Sequence, residues 1–420
     1  KKIPFDVVGI SAMSTQYNYV KNLAENIKAV NSDIIVVLGW VLSTYSYHVV
    51  LENTMVDICI IGEGEITVKE LLRNLKNYDA IDGIAFKKDS VIVKNNDRKY
   101  VKDLDTLPWP AYHLFPMEKY INSINVVGAN RKLRTINVST GRGCPYNCNY
   151  CSKSFSGMRL RSINNVVDEI KYLKDNYKIE GISFTDECLV PNRDRVVELC
   201  EKIQSLSLAW NCQGRVNLVD EELLSKMKLA GCRAIGYGIE SGSQKILDAM
   251  NKKATVKQAK KAIIETQKTG LHPIIQMMFG YPGEDKETLR ETVNFFREID
   301  HSGCNLSPTT PLPGSELWKY SLHRGFIKSE KEFLEKLEGG YMSDAPILVN
   351  FTDFPTEQLN SIRIKTQQRI KRNYMIRHPF IILQNYIRRL NYNLKSYGAK
   401  ATSLKIMQKF LGWPVKSITK

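Results

Sequence analysis

Long apolar runs are missing from this sequence of 420 residues. None approaches the roughly 18 consecutive apolar residues that a membrane-spanning helix needs. The opening residues, Lys1-Lys2-Ile3-Pro4, do not have the pattern of a signal peptide, and without an initiator Met we expect a fragment or a processed form. Internal repeats and low-complexity stretches are absent as well. These absences favour a cytoplasmic globular protein, and the length predicts two or three domains.

A framework of paired cysteines is also missing. The nine cysteines are an odd number, and most of them stand singly inside periodic segments. This distribution argues against disulfide bonds and for a reducing compartment. Five of the cysteines are each predicted to be small core residues: Cys188, Cys200, Cys212, Cys232 and Cys304.

Acidic residues are absent after Glu357, although 14 of the 60 Lys and Arg residues lie there. Most of the net charge of +16 therefore belongs to this tail. Its apolar residues repeat at helical spacing: Leu383, Ile387, Leu390, Met407 and Phe410. A basic amphipathic helix is typical of association with an anionic membrane surface, but such a stripe can equally pack on the protein while the lysines face water. No nucleic-acid-binding module accompanies the charge, which argues against nucleic acid as a partner.

The first hundred residues carry three apolar segments that alternate with helical spacing. Strands are predicted at residues 6–11, 34–39 and 57–62, and a helix at residues 19–30. Strands that are apolar throughout and alternate with helices indicate a parallel sheet covered on both faces. Residues 1–100 are therefore expected to form one α/β domain, followed by a proline-containing connector over residues 101–133.

A second and longer series of strand and helix signals follows the connector. Six strands are predicted near residues 134–140, 181–187, 209–215, 233–241, 272–280 and 303–312. Ser162 and Asp220 are predicted to cap two of the intervening helices. Repeated strand–helix units of this length predict a barrel, or an open partial barrel, over residues 134–330. Residues 331–420 are expected to be a helical, basic extension.

Three cysteines stand close together after the first of these six strands, in the segment GRGCPYNCNYC at residues 141–151. The soft thiolates of Cys144, Cys148 and Cys151 suit an iron–sulfur cluster, and three ligands leave one iron of a 4Fe–4S cluster open. The amino and carboxylate groups of S-adenosylmethionine (SAM) fit that open position. A structural zinc site, the alternative, needs four ligands, usually from two short pairs, and the sequence has no second pair.

The spacing of these cysteines, with Tyr150 before the third, resembles the signature of the radical SAM superfamily. The segments DVVGIS at residues 6–11, GEGE at 62–65 and LPWP at 107–110 resemble its cobalamin-binding class more narrowly. The resemblance covers most of the chain. It implies an α/β fold in which a Rossmann-like cobalamin-binding domain precedes a partial (β/α)6 TIM-like barrel and a helical basic tail. It further implies a 4Fe–4S cluster, SAM and cobalamin as cofactors.

The same resemblance implies the function of an enzyme that cleaves SAM reductively and forms a 5′-deoxyadenosyl radical. Methyl transfer to an unactivated carbon is the expected outcome, although relatives also carry out ring closures and rearrangements. An RNA-modifying methylthiotransferase without cobalamin is one alternative, but it would need further cysteines, and only Cys59 precedes the motif. A non-enzymatic iron–sulfur carrier is the other, although a carrier has no need of a barrel with polar strand ends.

Polar residues follow several predicted barrel strands, at the end where barrel enzymes have their active sites. By resemblance, the SAM pocket is lined by Tyr150, Asp186, Arg215, Glu240, Ser241, Gly280 and Pro282. Arg215 would pair with the SAM carboxylate, Glu240 would accept hydrogen bonds from the ribose, and Asp186 would meet the amino group. Structural roles are the alternative: Asp186 could cap a helix, and Arg215 could form an ion pair.

Cobalamin is expected against a second set of residues: Ser11, Met13, Gly39, Gly62, Glu63 and Gly64. The Ser-x-Leu and Gly-Gly elements of the family are altered here, to Ser11-Ala12-Met13 and Gly39-Trp40. The opening strand of the domain, with the loop that supplies a cobalt-ligating His in some relatives, would lie before Lys1. We therefore expect no protein ligand below the cobalt. The alternative is a domain that is merely structural.

The expected partners follow from the same chemistry. An external electron donor such as flavodoxin or ferredoxin would reduce the cluster. The substrate is expected to be a small or lipid-like molecule, and the sequence does not identify it. The expected location is the cytoplasm, with the basic tail at a membrane surface if it binds one.

Overall fold

Two large β-sheets organise the chain, one on each side of the connector. The computed structural model describes residues 5–75, 77–129, 131–303, 305–337 and 345–380. The apolar positions predicted for the tail, from Leu383 to Phe410, lie outside these residues, and so does Cys304. Within the described ranges, no helix combines the length and the apolar character that crossing a bilayer requires.

The N-terminal sheet has five strands in the order β1-β2-β3-β4-β5. The strands are β1 (Val7–Ser11), β2 (Ile35–Gly39), β3 (Ile58–Ile60), β4 (Ile84–Lys88) and β5 (Val91–Lys94), and the helices are α1 (Tyr17–Val30), α2 (Trp40–Asn53) and α3 (Gly64–Arg73). The first three strands are parallel, which confirms the three predicted strands and the helix between the first two. The antiparallel pair β4–β5 and the helix α2 were not predicted.

The connector contains one short helix, α4 (Met117–Ile121), and leads to a six-stranded sheet that is parallel throughout. Its strands are β6 (Thr135–Val138), β9 (Gly181–Phe184), β10 (Ala209–Gly214), β11 (Cys232–Glu240), β12 (His272–Phe279) and β13 (Leu306–Pro308). The order β13-β12-β11-β10-β9-β6 leaves β6 and β13 as the two edges, so the barrel is open. The six predicted strands are confirmed, with β13 shorter than expected.

Helices alternate with the strands of this open barrel. They are α5 (Ile163–Tyr177), α6 (Arg193–Gln204), α7 (Glu221–Leu229), α8 (Gln244–Ala249), α9 (Val256–Lys268) and α10 (Lys286–Glu298), followed by α11 (Glu316–His323), α12 (Glu330–Lys336) and α13 (Thr356–Arg377). Ser162 caps α5 by accepting a hydrogen bond from the Asn165 amide, and Asp220 caps α7 through the Leu223 amide, as predicted.

Buried apolar residues form one core inside the barrel, a second that joins the two sheets, and a smaller third between the N-terminal sheet and α3. The barrel core includes the fully buried Trp210 and Tyr237, and the four described cysteines predicted to be core residues are buried. The second core packs Leu42 of α2 against Met250 and Trp318 of the barrel region. Because this core is shared, the two sheets are held against each other. The domain limits at residues 100, 133 and 330 stay predictions.

A small antiparallel hairpin separates β6 from α5 and carries the cysteine segment. Its strands are β7 (Gly141–Gly143) and β8 (Met158–Leu160). Gly143 has a φ of 83°, and a Cβ at this position would lie 2.1 Å from the carbonyl oxygen of Gly157. A side chain therefore cannot be accommodated where the hairpin closes.

Candidate active site

The three cysteines of the motif lie in the loop between β7 and β8, and all three are free thiols. Cys151 is exposed as a residue, but its sulfur is surrounded by protein atoms and so is poorly solvated. This desolvation, together with the nearby charges of Glu187 and Cys148, raises the pKa of the thiol to about 12. In the described part of the chain, no three His, Cys, Asp or Glu side chains converge as ligands of one metal ion. A four-iron cluster does not need such convergence, because each thiolate binds a different iron.

The cysteine loop is hydrogen-bonded to residues 249–253, which begin at the last residue of α8 and are here called the α8 loop. The backbone amide of Asn149 donates to the Met250 carbonyl at 3.0 Å, and the Asn149 side chain donates to Ala249 at 3.0 Å. In return, the Asn251 side chain donates to the Asn147 carbonyl at 2.7 Å. These contacts attach the loop of the predicted cluster ligands to the helix that follows the barrel strand β11.

Arg215, at the end of β10, lies beside the cysteine loop. Its guanidinium carbon stands 3.5 Å from the centre of the Tyr146 ring, and its Nη1 is 3.8 Å from the sulfur of Cys148. Its Nη2 donates to the carbonyl of Lys252. A buried guanidinium held over an aromatic face is fixed in position, and the structure places it next to a predicted cluster ligand. Its role towards the SAM carboxylate stays a prediction.

Glu240, the last residue of β11, is brought together with Tyr150. Its Oε1 accepts a hydrogen bond from the Tyr150 hydroxyl at 2.8 Å and forms an ion pair with Lys252 at 2.9 Å. Burial, followed by the charge of Glu240, raises the pKa of Tyr150 well above its usual value. Ser241 follows directly and is buried. Lys252 was not anticipated from the sequence, in which it is one of two adjacent lysines.

The loop after β12 carries Gly280 and Pro282. Gly280 has a φ of 83°, and its amide donates to Oε2 of Glu284 at 2.6 Å. Glu284 is buried, and this desolvation raises the pKa of its carboxyl to about 7. The glutamate is therefore a fixed acceptor inside the loop, which holds Gly280 in its left-handed conformation. Sequence reasoning missed it, although an acid four residues after the glycine was visible.

Asp186, beyond β9, faces the start of the cysteine segment. Both of its carboxylate oxygens accept from the Thr140 amide, at 3.0 and 3.1 Å, and Oδ1 accepts from the Thr140 hydroxyl at 2.8 Å. Burial raises the pKa of this carboxyl. The contacts tie the end of β9 to the strand of the cysteine hairpin. A contact between Asp186 and the SAM amino group stays a prediction.

A cleft of about 530 Å³ opens at the carboxyl ends of β1, β2 and β3. Five of the six residues predicted to bind cobalamin line it: Ser11, Gly39, Gly62, Glu63 and Gly64. Met13 is not among the lining residues and instead begins a short 3-10 turn, where its amide donates to Gln16. A Cβ at Gly9 would meet nothing within 4 Å, and one at Gly39 would meet only a carbonyl at 3.9 Å. The glycines therefore leave open space that a flat ligand can fill.

The cleft and the cysteine hairpin share a wall. Arg142 of β7 lines the cleft, together with Ser154 and Phe155 from the loop that follows the third cysteine. Glu63, whose side chain is only 4% exposed, forms ion pairs with both Arg142 and Arg159. The two arginines were missed in the sequence, because their pairing depends on the approach of two distant segments. A ligand in the cleft would thus lie next to the cysteine loop.

Comparison with known proteins agrees with this arrangement. The family model of the radical SAM superfamily matches residues 138–296, and that of the B12 binding domain matches residues 1–72. An uncharacterized methyltransferase of Pyrococcus horikoshii is 31% identical over 336 residues, which are 78% of this chain and 72% of that protein. An anaerobic magnesium-protoporphyrin IX monomethyl ester cyclase of Rubrivivax gelatinosus is 30% identical over 75% of this chain.

The match to the cyclase spans only 58% of that protein's length. Among solved structures, the radical S-adenosylmethionine methyltransferase TsrM of Kitasatospora setae aligns with a TM-score of 0.64 at 17% identity. That alignment covers 78% of this chain and 67% of TsrM. At this identity the likeness establishes the shared fold and nothing about the substrate.

Proposed function

Because this chain belongs to the radical SAM superfamily and carries a B12-binding domain, we propose that it is a cobalamin-dependent radical SAM methyltransferase. One observation supports the proposal above the others: the cysteine loop forms a wall of the N-terminal cleft through Arg142, Ser154 and Phe155. A methyl group carried in the cleft and a radical formed at the cysteine loop would act on one substrate between them. Neither group would have to travel.

The residues present fit the groups that this chemistry needs. When bound, the cluster supplies one electron to the sulfonium of SAM, which yields methionine and a 5′-deoxyadenosyl radical, and cobalamin carries the methyl group. Cys144, Cys148 and Cys151 would hold the cluster. Arg215 would neutralise the SAM carboxylate. Its stacking on the Tyr146 ring would keep the guanidinium in place without a second carboxylate, from the protein, as its partner.

The remaining residues of the pocket would orient the nucleoside and keep water out. Glu240 would accept hydrogen bonds from the ribose hydroxyls, next to the buried Ser241. Gly280 and Pro282 would let the backbone after β12 lie close to the ligand, because a side chain is missing at the first position and the ring is rigid at the second. Asp186 would act indirectly, because its hydrogen bonds fix Thr140 at the start of the cysteine segment.

In the N-terminal cleft, the backbone would do most of the binding. Ser11, Gly39, Gly62 and Gly64 present main-chain groups and open space rather than charged side chains. The open space over these residues would accommodate the face of a corrin ring. Glu63 would contribute indirectly, because its carboxylate is already paired with two arginines.

The enzyme would need two partners that the structure does not contain. One is an external electron donor, such as flavodoxin or ferredoxin. The other is a small-molecule substrate. A ring closure instead of methyl transfer is the second candidate outcome, because the R. gelatinosus relative is named a cyclase. Association of the basic tail with a membrane surface stays a prediction.

The proposal is tested with protein reconstituted anaerobically with iron and sulfide. With dithionite as the reductant, SAM should be converted to 5′-deoxyadenosine, and methyl-labelled SAM should transfer its label to added hydroxocobalamin. Replacing Cys144, Cys148 or Cys151 by Ala should abolish both reactions. Cys200→Ala is the matched control, since Cys200 is buried in α6. Cleavage of SAM by the triple variant at the wild-type rate would refute the proposal.

A further inference from the structure

Lys252 has no role in the assignments above, although it touches three of the residues in the SAM pocket. It lies in the α8 loop, between Asn251 and Lys253, which both have a φ of 52°. Its Nζ donates to Glu240 Oε1 and to the Tyr150 hydroxyl, each at 2.9 Å, and its carbonyl accepts from Arg215. Only 7% of this lysine is exposed. A buried lysine is uncommon unless it has a partner, and here the partner is a carboxylate at a strand end.

The strand β11 itself provides the space for this ion pair. A Cβ at Gly238 would lie 2.3 Å from Glu240 Oε1 and 3.1 Å from Lys252 Nζ, so a side chain at this position would displace the pair. The register of β11 against β12 shifts between Gly238 and Glu240, and Glu240 has a φ of 70°. This irregularity folds the Glu240 side chain back over its own strand. Strained backbone of this kind persists where the surroundings over-determine it, and such sites are commonly functional.

The contacts of the Glu240 carboxylate are one-sided. Tyr150 and Lys252 both bind Oε1, whereas no hydrogen bond to Oε2 is found in the part of the chain that the structure describes. A carboxylate held by one oxygen has a fixed plane and offers the other oxygen to a ligand. Two vicinal hydroxyls are suitable donors to it, because an ionised carboxylate only accepts hydrogen bonds.

We infer that Lys252 is a positioning residue: it anchors Glu240 by Oε1 so that Oε2 receives the ribose hydroxyls of SAM. The inference rests on the proposed function, since SAM must bind this pocket. It also assigns a role to Tyr150, the residue before Cys151, whose hydroxyl joins the anchored carboxylate to the cysteine loop. The nucleoside and the cysteine loop would therefore be positioned by one network of hydrogen bonds, centred on Lys252.

The test compares two ligands on the reconstituted protein, with its cluster oxidised so that neither ligand is consumed. Equilibrium dialysis measures the affinity for SAM and for 2′,3′-dideoxy-SAM, which lacks both hydroxyls. Lys252→Gln should weaken binding of SAM by about tenfold and leave binding of the dideoxy analogue nearly unchanged. Lys252→Arg, which keeps a charged donor, should restore most of the affinity for SAM. Lys253→Gln, at the exposed neighbour, should change neither.

Gly238→Ala perturbs the same ion pair without replacing the lysine. It should weaken binding of SAM and leave binding of the dideoxy analogue nearly unchanged. An equal loss for both ligands would overturn the inference, because Lys252 would then act on the pocket as a whole. Unchanged binding of both ligands would overturn it too. Loss of iron and sulfide in both Lys252→Gln and Gly238→Ala would show that Lys252 is needed for folding, and this result would also overturn the inference.

The two claims can fail separately. If the wild-type protein binds SAM more tightly than the dideoxy analogue but does not cleave it, the proposed function fails and the inference about Lys252 stands. If the wild-type protein binds and cleaves SAM with no preference for the hydroxyls, the inference fails alone. If it binds neither ligand, both are wrong.

Discussion

The barrel strand ends beside the cysteine loop and the N-terminal cleft carry different kinds of groups. Beside the cysteine loop, buried charged side chains come together, with Arg215 over an aromatic ring and Lys252 paired with Glu240. In the cleft, four of the sixteen lining residues are glycines, and the charged ones, Glu63, Glu65 and Arg142, are paired with one another. A ligand such as SAM carries a carboxylate and hydroxyls that side chains recognise one by one, whereas a large flat ring needs an open surface. The contrast indicates which kind of substitution should damage each site.

Glu63 is where the two regions meet, and its removal should have the largest effect. Glu63→Gln leaves Arg142 and Arg159 partly buried without their common acid. Breaking a buried pair in this way costs about 3–5 kcal/mol of unfolding free energy. Glu65→Gln is the matched control, because its single pair with Arg142 is more exposed and should cost below about 1 kcal/mol.

Urea unfolding of the three proteins measures the difference. Because Glu63 joins the cleft to the cysteine hairpin, Glu63→Gln should also reduce the retention of both iron and added corrinoid. If Glu63→Gln and Glu65→Gln lose equal stability, Glu63 does not connect the two regions.

Arg215→Ala should sharpen the contrast, since it affects one site only. A charge-assisted hydrogen bond contributes about 1.5–3 kcal/mol, so the affinity for SAM should fall by roughly 10- to 150-fold. Corrinoid binding should not change. Arg193→Ala is the control, because Arg193 forms exposed ion pairs with Asp220 and Glu222. Unchanged SAM affinity in a folded, cluster-containing Arg215→Ala protein would show that the arginine is structural.

A pH-dependent effect should come from Glu284, which lies in the loop after β12. Its pKa is raised from 4.5 to about 7 in the folded protein, so the native state binds more protons than the unfolded state between these values. Stability contributed by the neutral carboxyl is present below pH 4.5 and is lost as the pH rises to about 7. Glu284→Gln keeps an acceptor for Gly280 and removes this titration.

The urea midpoint of the cluster-free protein should therefore fall less between pH 5 and pH 8 in Glu284→Gln than in the wild type. Asp285, which caps α10 by accepting a hydrogen bond from the Thr288 amide, is left intact in both proteins. Parallel pH profiles for the two proteins would mean that Glu284 does not titrate in this range.

The parallel strands of both sheets were predictable because buried parallel strands are apolar over their whole length. The caps at Ser162 and Asp220 were predictable for a similar reason, since capping depends on local sequence. The hairpin β4–β5 was missed because its strands are short, with only three buried residues in β4 and charged residues at the turn. The helix α2 has apolar residues on all sides and a kink at Ser46, so it lacks the stripe that predicts a surface helix.

The site residues show the same division. Cys144, Cys148 and Cys151 could be predicted as a ligand set because they lie close together in the sequence. Lys252 was not, because nothing local distinguishes a buried lysine from its exposed neighbour Lys253. The pairing of Glu63 with two arginines depends on segments almost 80 residues or more apart, and only the fold brings them together.

The claim that one chain holds two separately built cofactor sites is tested most directly by a pair of variants. Iron, sulfide, corrinoid and 5′-deoxyadenosine are measured on the same reconstituted preparations, with hydroxocobalamin added. The Cys144→Ala, Cys148→Ala, Cys151→Ala protein should lose iron, sulfide and SAM cleavage but retain corrinoid. Gly39→Leu, which fills the open cleft, should lose corrinoid but retain the cluster and SAM cleavage. Loss of all four signals in both variants, or no corrinoid on the wild-type protein, would contradict the account.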